Sequence, residues 1–214
     1  MVGAKMEFWS ELLTKASWEK LIELSKEIDF ILIGGWAAYL WTGQHKSKDI
    51  DIIVDYKTLL YLQQRYRLEK NERLKKYEIK FDKFDIDLYL PKYSRLAIPV
   101  EDIKIEYTTR IKGINVPIPE VLLILKQGAE RERRGSTKGK KDAIDIITLL
   151  IHSPFDFQLY YSLLEKYGKK EYLEDLINII NDFDDKDIKF LNIDFVSFKK
   201  WKKKTIDVLK SFRD

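Results

Sequence analysis

The chain has 214 residues, 35% of them charged and 45% hydrophobic, which suffices for one large or two small globular cores and excludes a disordered composition. A net charge of +4 is too small to diagnose a nucleic-acid binder, and no apolar run approaches the roughly 20 residues of a membrane helix. No cysteine is present and the two histidines are far apart, so thiolate and zinc sites are excluded, and any metal must be a carboxylate-bound ion such as magnesium or manganese.

The N-terminus, MVGAKMEFWSELL, carries acids and aromatics where an export signal has a plain apolar stretch, so a cytoplasmic location is expected. Residues 6–27 place apolar side chains at helical spacing and predict one or two amphipathic helices. Asp29 to Ile33 is a short buried strand ending at Gly34-Gly35, and residues 36–42 are a helix closed by Gly43. Asp49 to Asp55 alternates as a strand, and Lys57 to Lys70 is expected to be helical. Tyr77 to Phe81 and Lys83 to Leu90 are strands, the second ended by Pro91. Lys112-Gly113 is a hairpin turn flanked by Asp102 to Lys112 and Ile114 to Val116.

Pro117 and Pro119 mark a break, and Pro119 is well placed to open a helix running to about Arg133. Residues 140–152, 156–167, 170–183 and 194–212 are further helices. The expected fold is therefore α+β: a small mixed sheet with flanking helices over residues 1–117, then an all-α region over 118–214. Charge is unevenly spread. Arg131 to Lys141 holds six basic residues and one acid, Lys199 to Lys204 is a second basic cluster, and Asp175 to Asp194 holds six aspartates.

Two strands carry acids at alternate positions. Residues i and i+2 share a face of a strand, so Asp49 and Asp51 project together while Ile50, Ile52 and Val54 face a core. Phe84 to Tyr89 repeats the pattern with Asp85 and Asp87. A solvated strand face accounts for one such pair. Two pairs set among Ile, Val, Phe and Leu are harder to explain, since Asp is a poor strand former. If the strands are neighbours, their carboxylates repel, and raised pKa values or a bound cation must relieve the repulsion. Two divalent ions about 3.5–4 Å apart would do so and would support in-line phosphoryl transfer. Gly34-Gly35 lets a ligand approach the backbone, and the helix after it offers free N–H groups to a phosphate.

With these residues in place the sequence resembles the nucleotidyltransferase superfamily of polymerase-beta-like fold. The matching signature is an apolar strand, Gly34-Gly35, a helix, Asp49-x-Asp51, and a third acid on a later strand, Asp87, with Asp85 as its substitute. Within the superfamily it looks most like the AbiEii-type minimal nucleotidyltransferases, some of them toxins of toxin–antitoxin pairs. Where those proteins show Arg-x-Thr-x-Asp-x-Asp, this chain has His45-Lys-Ser-Lys-Asp-Ile-Asp51, so Ser47 stands for the threonine. The stretch from Pro117 through Lys126 and Arg133 or Arg134 to Lys141-Asp-Ala-Ile-Asp145 is similar to the family's Pro-x-Pro, Lys, Arg, Lys-Asp-x-x-Asp pattern.

The resemblance implies a metal-dependent transfer of an NMP group from an NTP to an acceptor hydroxyl on RNA (a tRNA end, for example), a protein or a small molecule. Asp49, Asp51 and Asp87 would bind two Mg²⁺ or Mn²⁺ ions and carry the chemistry. Gly34, Gly35, Ser47, Lys126, Lys141 and Asp145 would bind the nucleotide, with Lys126 neutralising triphosphate charge. Lys141, Asp142 and Asp145 stay open between orienting Lys126 or the nucleotide and forming a plain exposed helix face. An antitoxin protein is an implied partner and a membrane is not. The alternative is a catalytically inactive nucleotide- or RNA-binding module.

Overall fold

The computed structural model describes residues 8–213, the side chain of Ile105 excepted. Residues 6 and 7 of the first expected helix, and much of the stretch used to exclude an export signal, lie outside the described residues. Helix α1 (Glu11–Glu27) is followed by β1 (Ile31–Ile33), α2 (Gly34–Thr42), β2 (Ile50–Ile53) and α3 (Tyr56–Gln63). Strands β3 (Leu68–Asn71), β4 (Lys76–Lys80) and β5 (Asp85–Tyr89) come next, then α4 (Val100–Glu106) and the hairpin of β6 (Thr108–Ile111) and β7 (Ile114–Pro117). The remainder is helical: α5 (Pro119–Arg133), α6 (Thr137–His152), α7 (Phe157–Lys166), α8 (Glu171–Asn181), a 3₁₀ turn (Asp185–Phe190) and α9 (Phe195–Lys210).

The seven strands form one mixed sheet in the order β3-β4-β5-β2-β1-β7-β6. Strand β2 runs antiparallel to β1 and parallel to β5, and β1 runs parallel to β7. The alternation read from the sequence sets this centre. Ile50, Ile52, Ile86 and Leu88 are fully buried, each contributing about 1.5–3 kcal/mol by leaving water, while the aspartates between them face the other way. Helix α2 packs on α5 and α6, so the first helix after the sheet edge β6–β7 returns across the middle of the molecule. Trp36, buried on α2, meets the rings of Trp18 and Tyr39 at 4.9 and 5.4 Å, and Trp41 Nε1 donates to the Pro117 carbonyl at 2.8 Å, so these aromatics pack rather than line a cleft.

Three expectations need correction. The helix expected over 57–70 stops at Gln63, and Leu68–Asn71 is an edge strand paired with β4. The segment expected as strand from Asp102 begins instead as α4, and only Thr108–Ile111 pairs with β7. The hairpin between them is as expected: Lys112 and Gly113 both have positive φ, 49° and 82°, as a two-residue turn of matching twist requires. Helix α6 begins at Thr137 rather than Lys140, because the Ser136 side chain accepts from the Gly139 N–H and caps it.

Candidate functional site

The parallel pairing of β2 with β5 sets Asp51 directly opposite Asp87. On the far side of β5, β4 pairs antiparallel and sets Glu78 opposite Asp87. Acids on three adjacent strands therefore form one row, Asp51–Asp87–Glu78, on one face of the sheet. Asp85 lies two residues from Asp87 but faces Lys80, which bonds it at 3.0 Å, so Asp87 rather than Asp85 is the neighbour of Asp51.

Asp49 sits just before β2. Its Oδ1 accepts from the Asp85 N–H at 3.2 Å and its Oδ2 from Lys138 Nζ at 3.0 Å. The loop that carries it is tied down by Ser47, whose hydroxyl donates to the Asp49 carbonyl and whose own carbonyl accepts from Ser17 on α1. His45, in the same loop, is buried and bonds the Phe190 carbonyl.

The glycine pair answers to these side chains. Gly34 has φ +68°, and a Cβ there would stand 2.1 Å from Asp51 Oδ2. A Cβ on Gly35 would stand 2.6 Å from Ser47 Oγ. The turn from β1 into α2 thus requires glycine for the approach of Asp51 and Ser47, and α2 begins with no side chain capping its first N–H groups. The Asp51 carboxylate accepts no hydrogen bond among the described residues.

Electrostatics follow from this packing. Burial raises the pKa of Asp51, and the positive charges of Lys126, Lys76 and Arg133 oppose the rise without cancelling it. Burial and the Asp51 charge push Asp87 up to about 7, although Lys76 Nζ donates to its Oδ2 at 2.5 Å. Glu78 is the opposite case: burial works against ionisation, but hydrogen bonds from Lys76, Lys80 and Asn71 bring it down to about 2. Burial, with Asp51 and Asp87 near, also pushes the Tyr89 phenol up.

A second ionic cluster adjoins the row. Lys126 of α5 is 5% exposed and bonds Asp142 at 3.1 Å and Asp145 at 2.7 Å, both on α6. Asp145 also accepts from Lys141, and Asp142 from Arg133 Nε. Burial disfavours the Lys126 charge, but Asp145 and Asp142 outweigh it and raise the pKa; the same two lysines hold Asp145 below its usual range despite burial. Lys141, Asp142 and Asp145 are all buried, so the exposed helix face left open by the sequence is not what forms.

One pocket gathers most of the expected residues: Gly35, Ser47, Asp49, Asp51, Asp87, Lys126, Lys141 and Asp145 line it, and Gly34 lies behind Asp51. Its wall also includes Trp9, Lys48, Arg133, Lys138 and Asp142. Its volume is about 60 Å³, room for an ion or a phosphate oxygen or two and not for a nucleoside, whose base would lie outside it. Sequence reasoning missed Trp9, Lys48, Lys76, Glu78 and Tyr89. Lys76, Glu78 and Lys80 alternate along one strand, and that spacing was a readable signal. A larger open groove, about 550 Å³, lies along α9 between Lys200, Lys203, Lys204 and Asp207, on an element that holds none of the carboxylates above.

The donor set suits a hard divalent cation: it is all oxygen, crowded with like charge, and the Asp51 carboxylate accepts no hydrogen bond among the described residues. Yet among the described residues no group of three or more acids or histidines closes into a metal-holding cluster. Lys76 draws on Asp87 and Lys138 on Asp49. No described helix is long and apolar enough to cross a membrane.

No protein-family model matches the chain, and no curated protein matches it. Among solved structures it is similar to an antigenic nucleotidyltransferase-like protein from Paracoccidioides brasiliensis, with 20% identity and a TM-score of 0.39 over 78% of this chain and 92% of that one. It is also similar to JHP933 from Helicobacter pylori, with 16% identity and a TM-score of 0.47 over 96% of this chain and 99% of that one. Likeness at this level assigns no activity.

Proposed function

We propose that the chain is a metal-dependent nucleotidyltransferase that moves an NMP group from an NTP to an acceptor hydroxyl. The observation that carries this reading is the pairing of Asp51 with Asp87 across two parallel strands, with the Asp51 carboxylate accepting no hydrogen bond among the described residues and pressed against the uncapped start of α2. Asp51 and Asp87, with Asp49, would hold the divalent ion, which when bound would neutralise the carboxylates and the charge developing on the transferred phosphoryl group. The free N–H groups of α2 at Gly34 and Gly35 bind the phosphate tail, with Lys138, Lys48 and the ionic cluster around Lys126 supplying positive potential. The acceptor oxygen attacks the α-phosphorus, the bond to the β-phosphate oxygen breaks, and pyrophosphate leaves. Asp87 is the candidate to activate the acceptor hydroxyl, whose proton is lost to solvent.

The test uses each NTP labelled at the α-phosphate, with Mg²⁺ and total RNA. Label should pass to an acceptor with the wild type and fall by roughly 100-fold or more with Asp51→Asn, the loss of a few kcal/mol of transition-state stabilisation. Unchanged transfer by Asp51→Asn rejects the assignment. Label transferred only from the γ-phosphate would make the reaction a phosphoryl transfer instead. If the acceptor is RNA and the chain a toxin of AbiEii type, its expression arrests growth and a partner antitoxin relieves the arrest.

A second reading has one observation in its favour. Two of the three acids are already engaged by lysines, as in a module that binds nucleotide or RNA without turnover. Calorimetry separates the two: NTP binding that ignores Mg²⁺ supports the inactive module, and binding that requires it supports the enzyme.

A further inference from the structure

Lys76 has no part in the chemistry above, yet it is buried at 8% exposure in the middle of the acidic row. Its Nζ lies 2.5 Å from Asp87 Oδ2 and 2.9 Å from Glu78 Oε1. Glu78 is itself fixed, accepting from Asn71 at 3.1 Å and from Lys80 at 3.1 Å. Lys76 is therefore anchored at two points, with its ammonium engaging one of the two Asp87 oxygens. The other Asp87 oxygen, and both oxygens of Asp51, accept no hydrogen bond among the described residues.

We propose that Lys76 is a built-in positive charge occupying the place of a second metal, so that Asp51 and Asp87 take one divalent ion and not two. The inference rests on the nucleotidyl-transfer reading and specifies its metal count. Lys76 is a positioning residue here: it holds Asp87 by one oxygen and leaves the other without a hydrogen bond among the described residues. A buried ammonium tethered at two points also resists displacement by Mg²⁺, because removing it would leave Glu78 and Asp87 facing each other in register.

The experiment counts Mn²⁺ bound to the full chain, using Mn²⁺ alone and the loss of the free-ion electron paramagnetic resonance signal. One ion per chain is expected for the wild type and for Lys76→Arg, which keeps the charge. Two are expected for Lys76→Met, whose folding is checked by circular dichroism; Lys76→Gln replaces it if the methionine variant does not fold. A wild-type count of two overturns the proposal whatever the variants do, and so does a folded Lys76→Met chain that still binds one. No Mn²⁺ bound by the wild type overturns both this proposal and the metal-dependent reading. Two ions with intact transfer of α-label overturns the proposal alone.

Discussion

Two clusters of buried charge lie side by side in this protein, and they are built on opposite terms. Between α5 and α6, Lys126, Lys141 and Arg133 meet Asp142 and Asp145, and each Asp oxygen has a donor. On the sheet, Asp51 and Asp87 face each other with too few donors, and burial drives their pKa values up. The first is a closed network that fixes how two helices sit on α2; the second stores repulsion that proton uptake or an added cation relieves. Ion pairs under the same roof thus divide into those that complete the fold and those that oppose it, and the opposing pair is where a ligand gains most by binding.

The division is broken most severely from the closed side. Asp145→Asn takes the charged partner from Lys141 and leaves Lys126 with Asp142 alone, so buried positive charge loses compensation. It should lower the free energy of unfolding by about 3–5 kcal/mol in urea denaturation at pH 7. A loss under about 1 kcal/mol would mean that the network is wet and weak, and the contrast with the sheet would collapse.

From the open side the sign reverses. Asp51→Asn removes one of two repelling charges while keeping size and shape, so it should raise Tm by a few degrees even as it abolishes transfer. The pH dependence fixes the cause. A carboxyl near 7 in the folded chain and about 4 in the unfolded one binds its proton more tightly when folded, so stability falls as pH rises across that window. The wild type should therefore lose stability between about pH 4 and 7, the variant less, since burial still raises Asp87, and the two should converge below pH 4. A Tm gain that persists unchanged at pH 4 would trace to something other than charge.

How much of this was readable depended on whether a feature is local. The acids at alternate positions of β2 and β5 announce their shared face because the period of a strand is fixed. Helix α5 was read to both ends, since Pro119 and the basic residues at its close are strong signals. Strand β3 was missed because Leu-Glu-Lys-Asn has no apolar alternation and is a strand only through its pairing with β4. Helix α4 was missed because Asp-Ile-Lys-Ile-Glu alternates like a strand. In the site, Asp49, Asp51 and Asp87 were visible as residues; the alternation of Lys76, Glu78 and Lys80 was readable too, but its link to Asp87 was not, because that is a matter of hairpin register. The glycine pair has a further role that the sequence did not show: its missing side chains make room for Asp51 and Ser47.

The finest probe of the contrast is Lys138, which starts α6 on the closed side and reaches across to Asp49 on the open one. Its side chain is 55% exposed, so the ion pair is solvent-screened and worth about 0–1 kcal/mol. Lys138→Ala should leave unfolding free energy within about 0.5 kcal/mol of wild type, unlike either aspartate variant. It removes a competitor from Asp49, however, and the same sub-kilocalorie interaction becomes a gain in Mn²⁺ affinity of up to about fivefold. Unchanged Mn²⁺ affinity would place Asp49 outside the ion's reach and leave Asp51 and Asp87 as its only carboxylates. A marked loss of stability would show that Lys138 belongs to the closed network and that the two clusters are one.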